Sequence, residues 1–217
     1  MHASLSMISW DNIDLIIFDC DGVLVDSEPL SNAVLANHAA QMGWDMTGAE
    51  SQSYFKGMTM TQVHSRIEAE LGRSLNDRWI EDYYADSYAL FKTDLKAIKG
   101  VKALTQRFKN AGKLLCVASQ GPHEKMNITL GTTGLAGYFE GNIFSAQDVG
   151  RPKPYPDLFL HAARTMGVEP DRCCVIEDSL TGVKAANAAT MRVIFYDEAA
   201  CTQTVKALTV HQMQDIF

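Results

Sequence analysis

Short runs of apolar residues without alternation recur along the chain and predict buried strands. The clearest are Leu15 to Phe18, Lys113 to Ser119, Arg172 to Ile176 and Arg192 to Asp197, with a shorter one near 142–145. Unbroken apolar runs of this kind are typical of strands that are covered on both faces. Apolar residues at helical spacing separate the later runs, at residues 101–110, 123–130, 156–166 and 180–189. This alternation predicts a mostly parallel α/β sheet flanked by helices.

A different pattern follows the first strand. Helical spacing begins after Ser27 and returns at Met60 to Leu71 and at Asp77 to Phe91, and the loop Phe55 to Thr59 interrupts it. From Gly100 onwards, helix and strand patterns alternate again. We therefore predict a helical domain at residues 28–98, inserted into an α/β core that is formed by residues 1–27 and 99–217.

The first predicted strand ends in two aspartates, Asp19 and Asp21, which are separated by one residue. Carboxylates this close repel each other, so a bound cation would stabilise them, and hard oxygen ligands favour Mg²⁺. The same residues are also compatible with a simple turn. A calcium loop fits less well, because it needs oxygen ligands where this chain has Val23 and Leu30.

Polar residues also end other predicted strands. Ser119 ends the second, and Glu177 and Asp178 follow a later one, while Lys153 lies in a loop. Because parallel strands bring their carboxyl ends to one edge of a sheet, these groups are expected to meet there. Together they are the components of a phosphoryl-transfer site, in which Asp19 would be the nucleophile and Ser119 and Lys153 would hold the phosphoryl oxygens.

Composition narrows the class of protein. The chain has 217 residues, of which 47% are hydrophobic and 21% charged, as in an ordinary globular protein. Its net charge of −7 and the absence of a basic run argue against a nucleic-acid partner. No apolar stretch is long enough to span a bilayer, the first ten residues do not form a secretion signal, and the five cysteines lack metal-type spacing. We expect a cytoplasmic monomer that does not bind a membrane.

Four motifs occur in an order that resembles the haloacid dehalogenase superfamily, in its subfamily of small sugar-phosphate phosphatases and mutases. They are Asp-Cys-Asp-Gly-Val-Leu-Val-Asp-Ser, Val-Ala-Ser, Arg-Pro-Lys-Pro-Tyr-Pro-Asp and Glu-Asp-Ser-Leu-Thr-Gly. The resemblance covers essentially the whole chain. It implies a Rossmann-like core and a mobile α-helical cap at the inserted region.

The resemblance also implies roles for the residues of the core motifs. Asp19 would attack phosphorus and form an aspartyl-phosphate, and Asp21 would protonate the leaving oxygen and then activate water. The implied Mg²⁺ ligands are the Asp19 carboxylate, the Asp21 backbone carbonyl and Asp178, with Glu177 close to the metal or its waters. The implied phosphate-binding residues are Ser119, Gln120 and Lys153.

Substrate contacts from the cap are implied for Glu28, Lys56 and Thr59. Glu28 is equally compatible with capping the helix that follows it. Lys56 is nearly as compatible with a solvated surface lysine. Cys20, although it lies between the two aspartates, is interpreted as a packed side chain, because a cysteine phosphatase would have an arginine where this chain has Asp26.

The leading hypothesis is a magnesium-dependent phosphatase acting on a small phosphorylated sugar or sugar acid. The overall sequence pattern, including Ser-Gln-Gly-Pro after the second strand, is similar to that of phosphatases that act on 6-phosphogluconate. A phosphohexose mutase is the nearest alternative, but such mutases have a histidine and an arginine where this chain has Ser31 and Met60. A receiver-like signalling module that is phosphorylated on aspartate is a further alternative, although it needs no cap and lacks a second aspartate like Asp21.

Overall fold

The computed structural model describes residues 9–55, 58–139, 141–197 and 207–217. The chain divides into two compact units. The first unit contains Met1–Val25 and Ala97–Phe217, and the second contains Asp26–Lys96. The boundaries predicted after residues 27 and 98 lie close to these divisions.

A six-stranded sheet forms the centre of the first unit. Its strands are β1 (Leu15–Phe18), β2 (Leu114–Ser119), β3 (Ile143–Ser145), β4 (Cys173–Glu177), β5 (Arg192–Tyr196) and β6 (Leu208–Val210). Their order is β3-β2-β1-β4-β5-β6, and every neighbouring pair is parallel. The predicted parallel α/β sheet is therefore confirmed. The four residues of β1 are completely buried, as their unbroken apolar sequence predicts.

The helices alternate with these strands or form the second unit. Their bounds are α1 (Glu28–Gln41), α2 (Gly48–Phe55), α3 (Met60–Leu71), α4 (Trp79–Asp94), α5 (Val101–Asn110), α6 (His123–Thr132), α7 (Ala136–Phe139), α8 (Asp157–Met166) and α9 (Leu180–Ala188). The predicted helix at Met60 to Leu71 matches α3 at both ends. Helices α2 and α7 and strand β6 were not predicted.

Local sequence explains where several helices begin and end. Thr59 caps α3, because its hydroxyl accepts a hydrogen bond from the Gln62 amide while the Gln62 side chain accepts one from the Thr59 amide. Helix α8 buries Leu158, Phe159 and two alanines on the face that packs into the core. It ends at Gly167, whose φ of 70° is left-handed and favours glycine.

The second unit has its own apolar core, which α1 to α4 form together. Its buried members include Val34, Phe55, Ile67, Trp79 and Tyr83. Of the tyrosines of α4, Tyr83 is a buried member of this core and Tyr84 packs against it. Across the described residues of both units, no helix has the length and apolar character needed to cross a membrane.

The chain leaves the first unit and returns to it at adjacent points. Val25 and Ala97 form an antiparallel bridge, and the Ile98 amide donates a hydrogen bond to the Leu24 carbonyl at 3.0 Å. The segment that leads out of the first unit and the segment that leads back into it are therefore hydrogen-bonded neighbours.

Candidate active site

The carboxyl ends of β1, β2 and β4 meet at one edge of the sheet. Phe18, the last residue of β1, is in register with Val117 of β2 and Ile176 of β4. The Asp19 amide continues this ladder by donating to the Ile176 carbonyl at 2.9 Å. Asp19 therefore leaves the sheet beside the end of β4, where Glu177 lies.

A buried lysine joins these two strand ends. The Lys153 ammonium lies 2.7 Å from Asp19 Oδ1 and 2.6 Å from Glu177 Oε1, and the lysine side chain is only 2% exposed. Residues on either side of Lys153 hold its loop, since the Arg151 guanidinium makes two hydrogen bonds of 3.0 Å with the Asp157 carboxylate. The sequence predicted a loop lysine at this edge, and the structure places it against the first aspartate.

Glu177 is fixed by the start of α9. Its Oε2 atom accepts hydrogen bonds from the Ser179 amide at 2.7 Å and the Ser179 hydroxyl at 2.8 Å. The same hydroxyl caps α9 by accepting from the Gly182 amide at 3.0 Å. A Cβ atom on Gly182 would lie 1.8 Å from Glu177 Oε1, so only glycine fits against this carboxylate.

Burial and charge act in opposite directions on the Asp19–Lys153 pair. Burial raises the pKa of Asp19 to about 7, with a further contribution from the Glu177 charge, although the Lys153 charge opposes this shift. Burial also disfavours the charged form of Lys153, but the Asp19 and Glu177 carboxylates raise its pKa above the usual value for a lysine. Lys153 therefore stays cationic between two carboxyl groups.

Three carboxylates could hold a metal ion. Asp19, Glu177 and Asp178 each offer an oxygen, and these oxygens lie within 4.8 Å of one another. Among the described residues this is the only such group of three. The Asp21 carboxylate is not part of it, and the contribution expected from Asp21 was its backbone carbonyl. Hard oxygen donors with excess negative charge suit Mg²⁺, so the residues present fit the predicted ion.

Close approach of the first loop to Asp178 depends on Gly22. Its φ of 76° lies in the left-handed region, and a Cβ atom there would be 2.0 Å from Asp178 Oδ2. Position 22 is therefore restricted to glycine both by its backbone conformation and by the space beside Asp178. Together with Gly182, it shows that two backbone segments pass too close to the carboxylates to carry a side chain.

The loop after β2 is held by hydrogen bonds with its neighbours. Ser119 is buried, and its hydroxyl accepts from the Gly121 amide at 3.1 Å. The Ser145 hydroxyl donates to the Gly121 carbonyl at 2.7 Å and so joins this loop to the end of β3. The side chain of Gln120 is exposed in this turn. Ser119 thus lies at the predicted edge of the sheet.

A second lysine at this edge was not predicted. The Lys125 ammonium, from the first turn of α6, lies 2.8 Å from each carboxylate oxygen of Asp21. The sequence carries one signal for this contact. A lysine is disfavoured in the first turn of a helix by the positive partial charge of the backbone amides, so its presence there points to a contact outside the helix.

The predicted cap contacts all belong to the second unit. Glu28 begins α1, and its carboxylate accepts a hydrogen bond from Gln52 at 2.9 Å. Thr59 is the residue that caps α3. Lys56 lies outside the described residues. Substrate contacts for these three residues stay a prediction.

Cys20 is a packed thiol, as the sequence indicated. It is buried, and its sulfur lies 3.8 Å from the Thr129 hydroxyl. Burial, with the negative charges of Asp21 and Asp19, raises the pKa of this thiol far above its usual value. A thiol that stays protonated is a poor nucleophile, so Cys20 is not a reactive cysteine.

Comparison with known proteins agrees with this arrangement. A family model for haloacid dehalogenase-like hydrolases matches residues 13–190. The 6-phosphogluconate phosphatase of Escherichia coli K12 is 32% identical over 185 residues, which cover 85% of this chain and 82% of that protein.

Two solved structures show the same fold. A conserved haloacid dehalogenase-like protein from Agrobacterium tumefaciens C58 has a TM-score of 0.79 and 36% identity, covering 94% of this chain and 96% of that one. A beta-phosphoglucomutase from Clostridium difficile has a TM-score of 0.77 and 23% identity, covering 94% and 93%.

The chain therefore belongs to the haloacid dehalogenase-like hydrolase family. It is an enzyme, a hydrolase whose relatives include proteins named as phosphatases.

Proposed function

We propose that the protein is a magnesium-dependent phosphatase that hydrolyses a small phosphorylated sugar or sugar acid through an aspartyl-phosphate on Asp19. The observation that carries this proposal is the buried Lys153 ammonium between Asp19 and Glu177, at the edge where Ser119 and Asp178 also lie. A cation held beside a buried carboxylate can bring an anionic phosphate to that carboxylate, which would otherwise repel it.

In the first step, an Asp19 carboxylate oxygen attacks phosphorus while the bond from phosphorus to the leaving oxygen breaks. Asp21 gives its proton to that oxygen, so the sugar departs as an alcohol. Lys153 donates to Asp19 Oδ1 and fixes the plane of the carboxylate. Ser119, Lys153 and the backbone amides of the Ser119 loop hold the non-bridging phosphoryl oxygens.

In the second step, water attacks the aspartyl-phosphate. The Asp21 carboxylate takes a proton from this water, the bond between Asp19 and phosphorus breaks, and inorganic phosphate and free Asp19 are formed. Asp21 returns to its protonated state, so the two steps restore the enzyme.

The carboxylates of Asp19 and Asp178 and the Asp21 backbone carbonyl would hold Mg²⁺, with Glu177 close by. When bound, Mg²⁺ supplies positive charge that offsets the repulsion between carboxylates and phosphate. Glu177 already uses one oxygen for Lys153 and the other for Ser179. We therefore assign Glu177 chiefly to holding Lys153 in place.

A phosphorylated sugar or a phosphorylated sugar acid is the proposed substrate class. The similarity to the 6-phosphogluconate phosphatase supports it, with the match covering most of both chains. The structural likeness to a beta-phosphoglucomutase concerns the fold alone. Where phosphohexose mutases have an arginine, this chain has Met60, which cannot donate a hydrogen bond or offset phosphate charge. A bisphosphate intermediate would therefore be held weakly, and hydrolysis is favoured over transfer of the phosphoryl group within the sugar.

Phosphate release from a panel of esters tests the proposal. The panel contains 6-phosphogluconate, hexitol phosphates, glucose 1-phosphate and p-nitrophenyl phosphate, each with Mg²⁺ and with EDTA. We expect Mg²⁺-dependent release from at least one sugar or sugar-acid ester, and none from the Asp19→Asn variant. Absence of release from every ester would contradict the proposed function.

A second assay separates the phosphatase from the mutase. Glucose 1-phosphate is supplied with a bisphosphate primer, and both inorganic phosphate and glucose 6-phosphate are measured. We expect no glucose 6-phosphate beyond a control without enzyme. Stoichiometric isomerisation without phosphate release would show that the protein is a mutase and contradict its assignment as a phosphatase.

A cytoplasmic location stays a prediction. The four described cysteines that are free in the structure, Cys20, Cys116, Cys173 and Cys174, are all buried, which suits a reducing compartment.

A further inference from the structure

Lys125 lies where the local sequence gives no reason for a cation. It belongs to the first turn of α6, at the end of the helix that carries the positive partial charge of the backbone amides. A lysine there is disfavoured relative to an acid such as the neighbouring Glu124. A locally unfavourable residue in an otherwise regular helix indicates that a distant contact or a function retains it.

The distant contact is with Asp21, which is 104 residues earlier in the chain. The Lys125 ammonium is 2.8 Å from Oδ1 and 2.8 Å from Oδ2. A cation close to both oxygens restricts rotation of the carboxylate group. The pair is only partly exposed, with 19% of the lysine side chain and 26% of the aspartate side chain accessible.

The stem of Lys125 runs beside the loop that carries Ser119. A Cβ atom on Gly121 would lie 3.4 Å from Lys125 Cδ, 3.6 Å from Ser119 Oγ and 3.9 Å from Asp21 Oδ2. Lys125, the Ser119 hydroxyl and the Asp21 carboxylate therefore surround one small volume. Each of the two site lysines contacts a different aspartate, because Lys153 contacts Asp19.

We propose that Lys125 is a positioning residue, which orients the Asp21 carboxyl group toward the leaving oxygen of the phosphate ester. This role rests on the proposed phosphatase function. As the P–O bond of the ester breaks, the O–H bond of Asp21 also breaks and its proton passes to the leaving oxygen. The electron pair stays on the Asp21 carboxylate, which Lys125 holds in place.

The test compares leaving groups in variants of Lys125. An alkyl phosphate needs a proton on its leaving oxygen, whereas p-nitrophenolate leaves without one. The assay measures kcat/KM for p-nitrophenyl phosphate and for the alkyl ester of the panel that the wild-type protein hydrolyses fastest. This ratio reports the steps up to departure of the leaving group, so the later hydrolysis step does not affect it.

We expect Lys125→Met to lower kcat/KM for the alkyl ester by about 10- to 100-fold, since positioned proton transfer typically contributes about 10²- to 10⁴-fold. The value for p-nitrophenyl phosphate should fall by less than about threefold, because that ester needs little proton transfer. Lys125→Arg keeps a cation and should recover most of the alkyl-ester activity. Lys184→Met, at an exposed position of α9, is the matched control and should behave like the wild type.

Equal losses on both esters, or no loss on either, would overturn the role of Lys125. Thermal melting checks the fold of each variant, and Lys125→Gln replaces the methionine variant if that one does not fold. If the wild-type protein is active but the variants keep its leaving-group selectivity, the proposed role of Lys125 is wrong and the proposed phosphatase function stands. A wild-type protein that releases phosphate from no ester rejects the proposed function and the role of Lys125 with it.

Discussion

The two ends of strand β1 carry similar ion pairs in opposite surroundings. At its amino end, Asp14 pairs with Arg172 through two hydrogen bonds, one of them 2.7 Å long. At its carboxyl end, Asp19 pairs with Lys153 at 2.7 Å. In the first pair, 42% of the Asp14 side chain and 46% of the Arg172 side chain are exposed to solvent. In the second pair, the exposed fractions are only 11% for Asp19 and 2% for Lys153.

The cation acts to lower the pKa of the carboxyl group in both pairs, but burial outweighs it in the second pair. The hydrogen bond from Arg172 lowers the pKa of Asp14, because little burial opposes it. Burial raises the pKa of Asp19 to about 7 despite the adjacent ammonium. The exposed pair therefore stabilises an ordinary carboxylate, whereas the buried pair holds a carboxylate in an environment that favours its neutralisation or reaction. Such perturbed groups are typical of functional sites.

Substitution of the two aspartates should give the largest difference. We expect Asp19→Asn to lower phosphatase activity by more than about 10³-fold, because an amide is a poor nucleophile and a weaker metal ligand. Asp14→Asn should leave activity within about twofold of the wild type, because it alters an exposed pair far from the reacting groups. Initial rates with the best ester of the panel measure both. Retention of more than a few per cent activity by Asp19→Asn, once deamidation is excluded by mass spectrometry, would remove Asp19 as the nucleophile.

Removing the cation of each pair should have very different effects on the stability of the protein. Lys153→Met leaves two buried carboxyl groups without their cation, and we expect a loss of about 3–5 kcal/mol in the free energy of unfolding of the metal-free protein. Arg172→Met is the matched change at the exposed end and should cost only a small fraction of that loss, because solvent screens the exposed pair. Urea unfolding in EDTA measures both. Similar losses for the two variants would show that burial does not distinguish the pairs.

The pKa shifts predict opposite pH dependence at the two ends. The folded-state pKa of Asp19 is raised, so its contribution to stability is complete below the usual value of 3.8 and is lost as pH rises through about 7. The folded-state pKa of Asp14 is lowered, so its contribution is present above 3.8 and is lost as pH falls through the folded-state value.

In EDTA, the stability of the wild type relative to Asp19→Asn should therefore fall by on the order of 2–4 kcal/mol between pH 4 and pH 7.5. The stability of the wild type relative to Asp14→Asn should stay level over this interval. Urea midpoints at several pH values provide the comparison. If the stability of the wild type relative to Asp19→Asn rose with pH, the sign would be wrong for a buried carboxyl group whose pKa is raised.

A smaller effect should come from the glycines of the site. Gly182→Ala places a methyl group 1.8 Å from Glu177 Oε1, and forcing these atoms apart should cost roughly 1–3 kcal/mol and disturb the contact with Lys153. Gly131→Ala in α6 is the control, since no atom apart from its chain neighbours and the backbone of its own helix lies within 4 Å of the added carbon. It should stabilise the protein by about 0.5–1 kcal/mol, because alanine favours a helix. Thermal unfolding distinguishes them, and a Gly182→Ala protein as stable as the control would show that α9 shifts freely.

Most of the sheet could be predicted from sequence because each central strand is buried on both faces. Runs such as Leu15 to Phe18 then carry a signal that does not depend on distant contacts. Strand β6 has three residues, of which only Val210 is buried, so it lacks the buried run that the equally short β3 retains. Helix α2 buries just Ser51 and Phe55, so it lacks the apolar repeat that indicated the other helices.

The site was predictable where residues end strands or belong to one of the four motifs, as Lys153 does, and unpredictable where a contact depends only on how a helix packs. Asp19, Ser119 and Glu177 could be placed at one edge because parallel strands bring their carboxyl ends together. Lys125 could not, because its contact with Asp21 depends on how α6 packs beside the first loop. Their proposed roles in the reaction stay predictions that the variants above test.

The bridge between Val25 and Ala97 has a consequence for protein engineering. Because the chain leaves and rejoins the first unit through paired residues, the 71-residue segment Asp26–Lys96 occupies the position of a hairpin loop. The entropy of closing such a loop grows only slowly with its length. Segments of very different size could therefore be exchanged at this junction without rerouting a strand of the sheet, so the inserted unit can change while the sheet and the residues at its edge stay the same.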